Sequence, residues 1–347
     1  MKVGIQLIGP RISEIGKLAK AAEDRGLDGA WLPLPYGMYT GVGRLVEATK
    51  RIRIGTSIAP LFHGTPYMHA ASAAMLQEMS EGRFVLGVGS QTKGQVRTQA
   101  GFDPPKPAMM ARDMVRAIRA LLNGEGKYEG EYYSVTLPMP RLVFGKAVQP
   151  PPPILFSGVN PLNLRVSGEV GDGLIGHPIF TRRYLEEVVW PRVSDGLERG
   201  GRNRDDFEMV AMPMVWIVDE TTSREEGYQR AKRNLAHYYS TRAYGGYMEF
   251  HGWEPERDAI RAVWQRAMDS KQPVNPHDME AILSDEIVDQ VCLIGSANEV
   301  RDMVVQRYEG IADSLIFYSL HDGYAHDDEE PLKVEANLSR VIDAFAG

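Results

Sequence analysis

In SEGRFVLGVGSQTKGQVRTQAG, residues 80–101, a Ser-x-Gly-Arg turn precedes an unbroken apolar run from Phe84 to Val88, and the polar segment Ser90-Gln91-Thr92-Lys93 begins near its end. A short apolar run bounded by turn residues is the pattern of a strand covered on both faces, as the strands of parallel sheets are. In such sheets ligands collect beyond the carboxyl ends of the strands. Gly87 and Gly89 withhold side chains as this strand ends. Either a helix packs closely there or a ligand approaches the backbone.

The same unit recurs on both sides. Upstream, Lys2–Leu7, Gly29–Leu32 and Arg53–Ala59 read as strands. They alternate with helical patterns: Ile15, Leu18, Ala19 and Ala22 form one apolar stripe, and Thr65-Pro66 opens a helix with Thr65 as its cap and Pro66 in its first turn. Downstream come strands at Pro153–Ser157, Asp172–Gly176, Glu208–Val218 and Asp313–Ser319, with helices over 108–122, 162–170, 184–199, 222–239 and 332–345. A capping box, Ser296 to Glu299, starts a further helix that ends near Tyr308. Eight strands in alternation with helices predict a (β/α)8 TIM barrel in a single domain over 1–347. Two segments break the rhythm. Residues 123–150 follow the fourth helix as an excursion with a hairpin, and 240–289 form a second irregular region with a helix around 258–268.

Composition narrows the function. The chain has 347 residues, 43% of them hydrophobic and 24% charged, a length that parallel barrels reach as one unit. A formal net charge of −7 argues against nucleic acid or an anionic membrane as partner. The one cysteine, Cys292, lies in an apolar run, which excludes an intrachain disulfide and points to a buried structural thiol in a reducing compartment. With no signal-peptide pattern in MKVGIQLIGP, the expected location is the cytoplasm. The eight histidines are scattered without metal-ligand spacing, so no metal is expected. Hydrolase elbows and Walker loops are absent as well.

Barrel enzymes build their sites at the carboxyl ends of the strands. Those ends offer Gln6, Pro33 to Tyr36, Ser57 to His63, Ser90 to Lys93, Ser157 to Asn160, His177, Trp216 and Ser319 to His321. One of them has anion-binding mechanics. In FSGVNPLNLRVSG, Asn160 can cap and Pro161 suits the first helical turn, leaving the amides of Gly158 and Val159 free at a helix N-terminus.

Four motifs in register, GTSIAP (55–60), SEGRFVLGVG (80–89), SGVNP (157–161) and EVGDGL (169–174), resemble the luciferase-like monooxygenase superfamily, and specifically its branch that uses the deazaflavin coenzyme F420. The resemblance covers essentially the whole chain. It implies an oxidoreductase that transfers a hydride between coenzyme F420 and a small organic substrate. A flavin mononucleotide (FMN) monooxygenase on the same fold, or a cofactor-binding paralogue without catalysis, are the alternatives. It further implies a non-prolyl cis peptide at Ser57-Ile58 behind the cofactor ring, with Gly89, Ser90 and Gln91 near the cofactor and Gly158 and Val159 on its phosphate. A homodimer is implied too, for which the Ala70, Ala71, Ala73, Ala74 face offers a smooth surface. Family members carry a His after strand two and often an acid after strand four for proton transfer. Here Leu32-Pro33-Leu34-Pro35-Tyr36 and Thr92 occupy those places, so His63, His177 and Tyr36 are the candidates for that work, with His321 behind them.

Overall fold

In the computed structural model, which describes residues 1–137, 149–323 and 328–347, the run that opened the reading is a strand, Phe84–Gly89, buried along its whole length. It is β4 of a closed parallel barrel. The others are β1 (Lys2–Gln6), β2 (Gly29–Leu32), β3 (Arg53–Thr56), β5 (Ile154–Ser157), β6 (Gly173–Ile175), β7 (Glu208–Ala211) and β8 (Ser314–Ser319). Each pairs with the next in order, and β8 returns to β1 with Gln6 opposite Tyr318. Burial of apolar residues on both faces drives this closure, since Ile5, Ile54, Leu86, Phe156 and Phe317 are all fully buried.

The loops at the amino end of the barrel show how the motifs work structurally. Glu81 and Gly82 turn through the left-handed region (φ 55° and 88°), and Arg83 then donates to Ser80 O, Ile52 O, Thr49 O and Thr49 Oγ1 at 2.9–3.0 Å. One guanidinium thereby satisfies four acceptors and locks the entrances of β3 and β4 together. Asp172 of the 169–174 motif accepts from Ile154 N at 2.8 Å and pairs with Arg119 at 3.0 Å, tying β5 to the loop before β6. Across the same face Arg53 grips Glu208 with two bonds of 2.7 and 2.9 Å. Inside β4, Gly87 is required by close approach: a Cβ there would run into the carbonyl of Thr56, whose hydroxyl donates to Gly87 O at 2.7 Å.

The structure corrects several boundaries. Strand three ends at Thr56, and Ala59–Pro60 pairs separately with β4. The expected strand Glu208–Val218 is two strands, broken after Ala211 where Pro213 cannot donate to a ladder. Its second half, Met214–Ile217, leaves β7 to lie between β8 and a short strand, Leu293–Gly295, that the sequence reading did not separate from the apolar run around Cys292. The region 240–289 is largely helical, with helices Gly245–His251, Glu254–Ser270, Pro276–Glu280 and Asp285–Val291. The hairpin in 123–150 is present as Lys127–Glu129 against Ser134–Thr136, and residues 138–148 of that excursion lie outside the described residues. Helix Pro66–Met79 presents Ala70 and Ala73 to the barrel, fully buried, while Tyr67, Met68, Met75 and Met79 face outward.

Candidate active site

All eight strand ends converge on one cavity of about 380 Å³ at the carboxyl face of the barrel. β1 brings Gln6, the loop after β2 brings Pro33 to Pro35, and the turn after β3 brings Ser57 and Ile58. Ser90, Gln91 and Thr92 follow β4, Ser157 to Asn160 close β5, and Gly176 to Pro178, Met212 and Tyr318 complete the ring. Tyr238, Ala243 and Tyr244, from the helix Arg224–Ser240 and the turn beyond it, form the outer wall.

The Ser57-Ile58 peptide is cis. Its carbonyl and its serine hydroxyl both accept from Gln6 Nε2, at 2.6 and 2.9 Å, so the first strand holds the turn of the third in place. Gly89 lies against this turn, since a Cβ at Gly89 would come within 2.5 Å of Ile58 Cδ1. At β5 the expected cap forms: Asn160 Oδ1 accepts from Asn163 N at 2.9 Å at the start of the helix Pro161–Val170. Asn163 Nδ2 donates to Ser90 Oγ at 3.0 Å, linking the β4 and β5 turns. Gly158 fits only because it lacks a side chain, for a Cβ would stand 2.5 Å from Asn163 Cβ.

Three acceptors on this wall have no partner among the described residues: Gln6 Oε1, Gln91 Oε1 and Asn163 Oδ1. Buried polar atoms are nearly always hydrogen-bonded, so the wall calls for a ligand that brings N–H or O–H donors. Gln91 is held at φ 54°, a left-handed position that few side chains adopt without reason.

His177 stands on the wall among aromatic rings, 4.8 Å from Tyr238, 4.8 Å from Tyr244 and 6.1 Å from Phe180 between centroids. Burial among these rings pushes its pKa down to about 3, which leaves the imidazole neutral at ordinary pH. Its Nδ1 accepts from Ile179 N at 3.4 Å, so the proton resides on Nε2. Tyr238 donates to the Tyr318 hydroxyl at 3.2 Å, and burial raises the pKa of both phenols. The cavity thus holds neutral hydrogen-bond donors rather than a charged acid.

Other sequence candidates sit elsewhere. The Tyr36 hydroxyl donates to Pro10 O, with its pKa pushed up to about 12 by burial, and Tyr36 is not part of the cavity wall. Neither is His63, whose ring nitrogens are both enclosed without a partner among the described residues. Trp216 lies off the barrel on Met214–Ile217, beneath the Arg230 guanidinium at 4.5 Å, and His321 packs on Tyr318 at 5.5 Å without reaching the wall. Sequence reasoning missed Tyr238, Tyr244 and Asn163. Tyr244 lies in the segment read as irregular, Tyr238 near the end of the helix read over 222–239, and Asn163 sits three residues after the cap that the reading did find. No group of three or more metal-ligating side chains occurs among the described residues.

A family model described as luciferase-like monooxygenase matches residues 2–314. The chain belongs to the luciferase-like monooxygenase family. It is an enzyme of that family, and its relatives include oxidoreductases. It is 28% identical to a Mycobacterium tuberculosis protein provisionally named a coenzyme F420-dependent oxidoreductase, over 91% of this chain and 94% of that one. It is 25% identical to the 5,10-methylenetetrahydromethanopterin reductase of Archaeoglobus fulgidus, over 88% and 89%. The barrel superposes on the coenzyme F420-dependent tetrahydromethanopterin reductase of Methanopyrus kandleri with a TM-score of 0.78 at 19% identity, over 99% of both chains. No helix among the described residues of this family member is long and apolar enough to cross a membrane.

Proposed function

We propose that this enzyme binds coenzyme F420 in the cavity and transfers a hydride between it and a small organic substrate, in the cytoplasm. The observation that carries the reading is the set of buried, unpaired acceptors, Gln6 Oε1, Gln91 Oε1 and Asn163 Oδ1, on residues that line a cavity reached by all eight strand ends. A deazaflavin fits that wall, because its ring imide and hydroxylated side chain present the N–H and O–H donors it lacks. The phosphate fits the amides of Gly158 and Val159, ahead of a helix ten residues long whose dipole favours an anion. When bound, the deazaflavin supplies the carbon that accepts or gives the hydride.

The protein's own residues then position and polarise. Gln6 fixes the Ser57-Ile58 turn, against which the ring would rest. Asn163 and Ser90 hold the β4 and β5 turns at a set separation. His177 is the residue we assign to the substrate oxygen: as a neutral imidazole with its proton on Nε2, it donates a hydrogen bond where negative charge develops. Tyr238 and Tyr244, kept protonated by burial, are placed to support it. His63 and Tyr36, outside the wall, carry no step in this scheme.

The test is a titration of purified protein with deazaflavin and with FMN, followed by absorbance, and then turnover of His177→Gln. Saturable deazaflavin binding, with kcat lowered and binding retained in the variant, is expected. Tight FMN binding with no response to deazaflavin would transfer the enzyme to the flavin branch, and deazaflavin binding without turnover of any substrate would make it a cofactor carrier. We also infer a homodimer through the outward stripe Tyr67, Met68, Met75 and Met79, because an apolar row at helical spacing on an outer helix is suited to burial against a second copy.

A further inference from the structure

Helix Glu254–Ser270, in the segment before β8, carries two buried N–H donors, Arg261 Nε and Trp264 Nε1, without a partner among the described residues. Three positions apart, they share one face of the helix, with their Cβ atoms about 5–6 Å from each other. The nearby carboxylates are already engaged, since Arg257 donates to Glu249 Oε1 at 2.7 Å and to Asp258 Oδ1 at 2.8 Å. Glu256 has an unpartnered oxygen, but five residues from Arg261 it is turned roughly 140° around the helix.

The place of these donors matters. The Arg261 guanidinium covers Gly245, where a Cβ would come 3.4 Å from Nη2. Gly245 directly follows Tyr244 of the cavity wall, and Arg242 begins the same turn, Arg242–Tyr244, exposed and without an ion pair among the described residues. Burial lowers the Arg261 pKa and the positive charges of Arg257 and Arg242 add to that, with Asp258 and Glu249 opposing. Two cations therefore gather one residue beyond the cavity wall, where Asp258 and Glu249 are already bonded to Arg257, and the indole donor of Trp264 follows about one turn along the helix.

We propose that Arg242, Arg261 and Trp264 form an oxyanion site at the edge of the cavity that takes a carboxylate or phosphate group of the substrate. The planar fork of arginine and the fixed indole N–H suit such oxygens better than a neutral carbonyl, because the charge-assisted bonds are the stronger ones. Assigning the anion to the substrate rests on the cavity being the deazaflavin site; the oxyanion site itself does not.

The test uses the full chain with inorganic phosphate as probe, titrated calorimetrically at an ionic strength held constant with sodium chloride. Wild type is expected to bind phosphate saturably. Arg261→Gln should weaken it by about tenfold or more and Trp264→Phe, which keeps the ring and removes the donor, by about threefold. Arg261→Lys, with charge but no fork, should fall between wild type and Arg261→Gln. Deazaflavin affinity should be the same in Arg261→Gln as in wild type. Absence of saturable phosphate binding in wild type, or equal binding in Arg261→Gln and Trp264→Phe, would overturn the site. A parallel loss of deazaflavin affinity would give the anion to the cofactor and overturn the substrate assignment. Phosphate binding by a wild type that takes up no deazaflavin would keep the oxyanion site and refute the reading of the cavity.

Discussion

Gly158→Ala adds one methyl group at the turn on which the phosphate reading depends. The backbone of Gly158 is outside the left-handed region, so any cost comes from contact and not from φ. The new Cβ would meet Asn163 Cβ at 2.5 Å, Asn163 C at 3.1 Å and Asn163 Cα at 3.3 Å, and none of these is the far end of a flexible chain. Restoring ordinary contact requires the first turn of the helix Pro161–Val170 to move by about 1 Å or more. Overpacking of this kind costs about 1–3 kcal/mol. The shift also carries Asn163 away from Ser90 Oγ, a bond of 3.0 Å whose loss adds about 1 kcal/mol. We expect a total destabilisation of about 2–4 kcal/mol, read as a lower urea midpoint at unchanged m-value. Deazaflavin affinity should fall about tenfold, or about 1.4 kcal/mol, because the amides at 158 and 159 move with the turn. Gly43→Ala is the control: nothing lies within 4 Å of its Cβ and it sits inside the helix Thr40–Ala48, so stability should rise by up to about 1 kcal/mol. A Gly158→Ala protein with the wild-type urea midpoint and wild-type deazaflavin affinity would refute both the packing argument and the placement of the phosphate.

Glu208→Gln tests the brace at the amino end of the barrel. Burial opposes ionisation of Glu208, yet its bonds to Arg53 and Ser314 outweigh this and hold the pKa below the usual carboxylate value. A depressed carboxylate stabilises the fold above its unfolded pKa, and that contribution is lost as pH falls through the folded value. The variant should therefore be less stable by about 1–3 kcal/mol at pH 7, with the gap to wild type closing below about pH 4 in urea titrations. His177→Phe acts with the same sign through a different group: a histidine whose folded pKa is near 3 favours the unfolded state as pH drops from about 6.5, so removing it should flatten the loss of stability between pH 6.5 and 3. For assembly, Met75→Lys should leave the fold intact by circular dichroism and shift light scattering from dimer to monomer. A wild type that is already monomeric at micromolar concentration would remove the dimer reading.

What the sequence alone determined was the part of the molecule governed by local rules. The apolar runs Gly29–Leu32 and Phe84–Gly89 are strands because a two-sided strand has no polar face to show. Thr65, Asn160 and Ser296 cap helices because their side-chain oxygens satisfy backbone N–H groups that have no other partner. The resemblance, carried by four motifs, located the cis peptide at Ser57-Ile58. Tertiary structure decided the rest. The segment 240–289 has many charged residues and no strong apolar period, so it reads as irregular, and its helices form because Tyr239, Tyr247, Trp253 and Ile260 bury against one another and the barrel. Tyr238, Tyr244 and His177 come together from segments some sixty residues apart, a distance over which no local pattern reports direction. Met214–Ile217 continues along the β8 edge that Val210 and Ala211 begin, and Leu293–Gly295 covers its other edge, a pairing that a three-residue strand cannot announce in advance. Local hydrogen bonding and period fix which residues form an element. Only the packing of distant elements fixes which side chain faces the cavity.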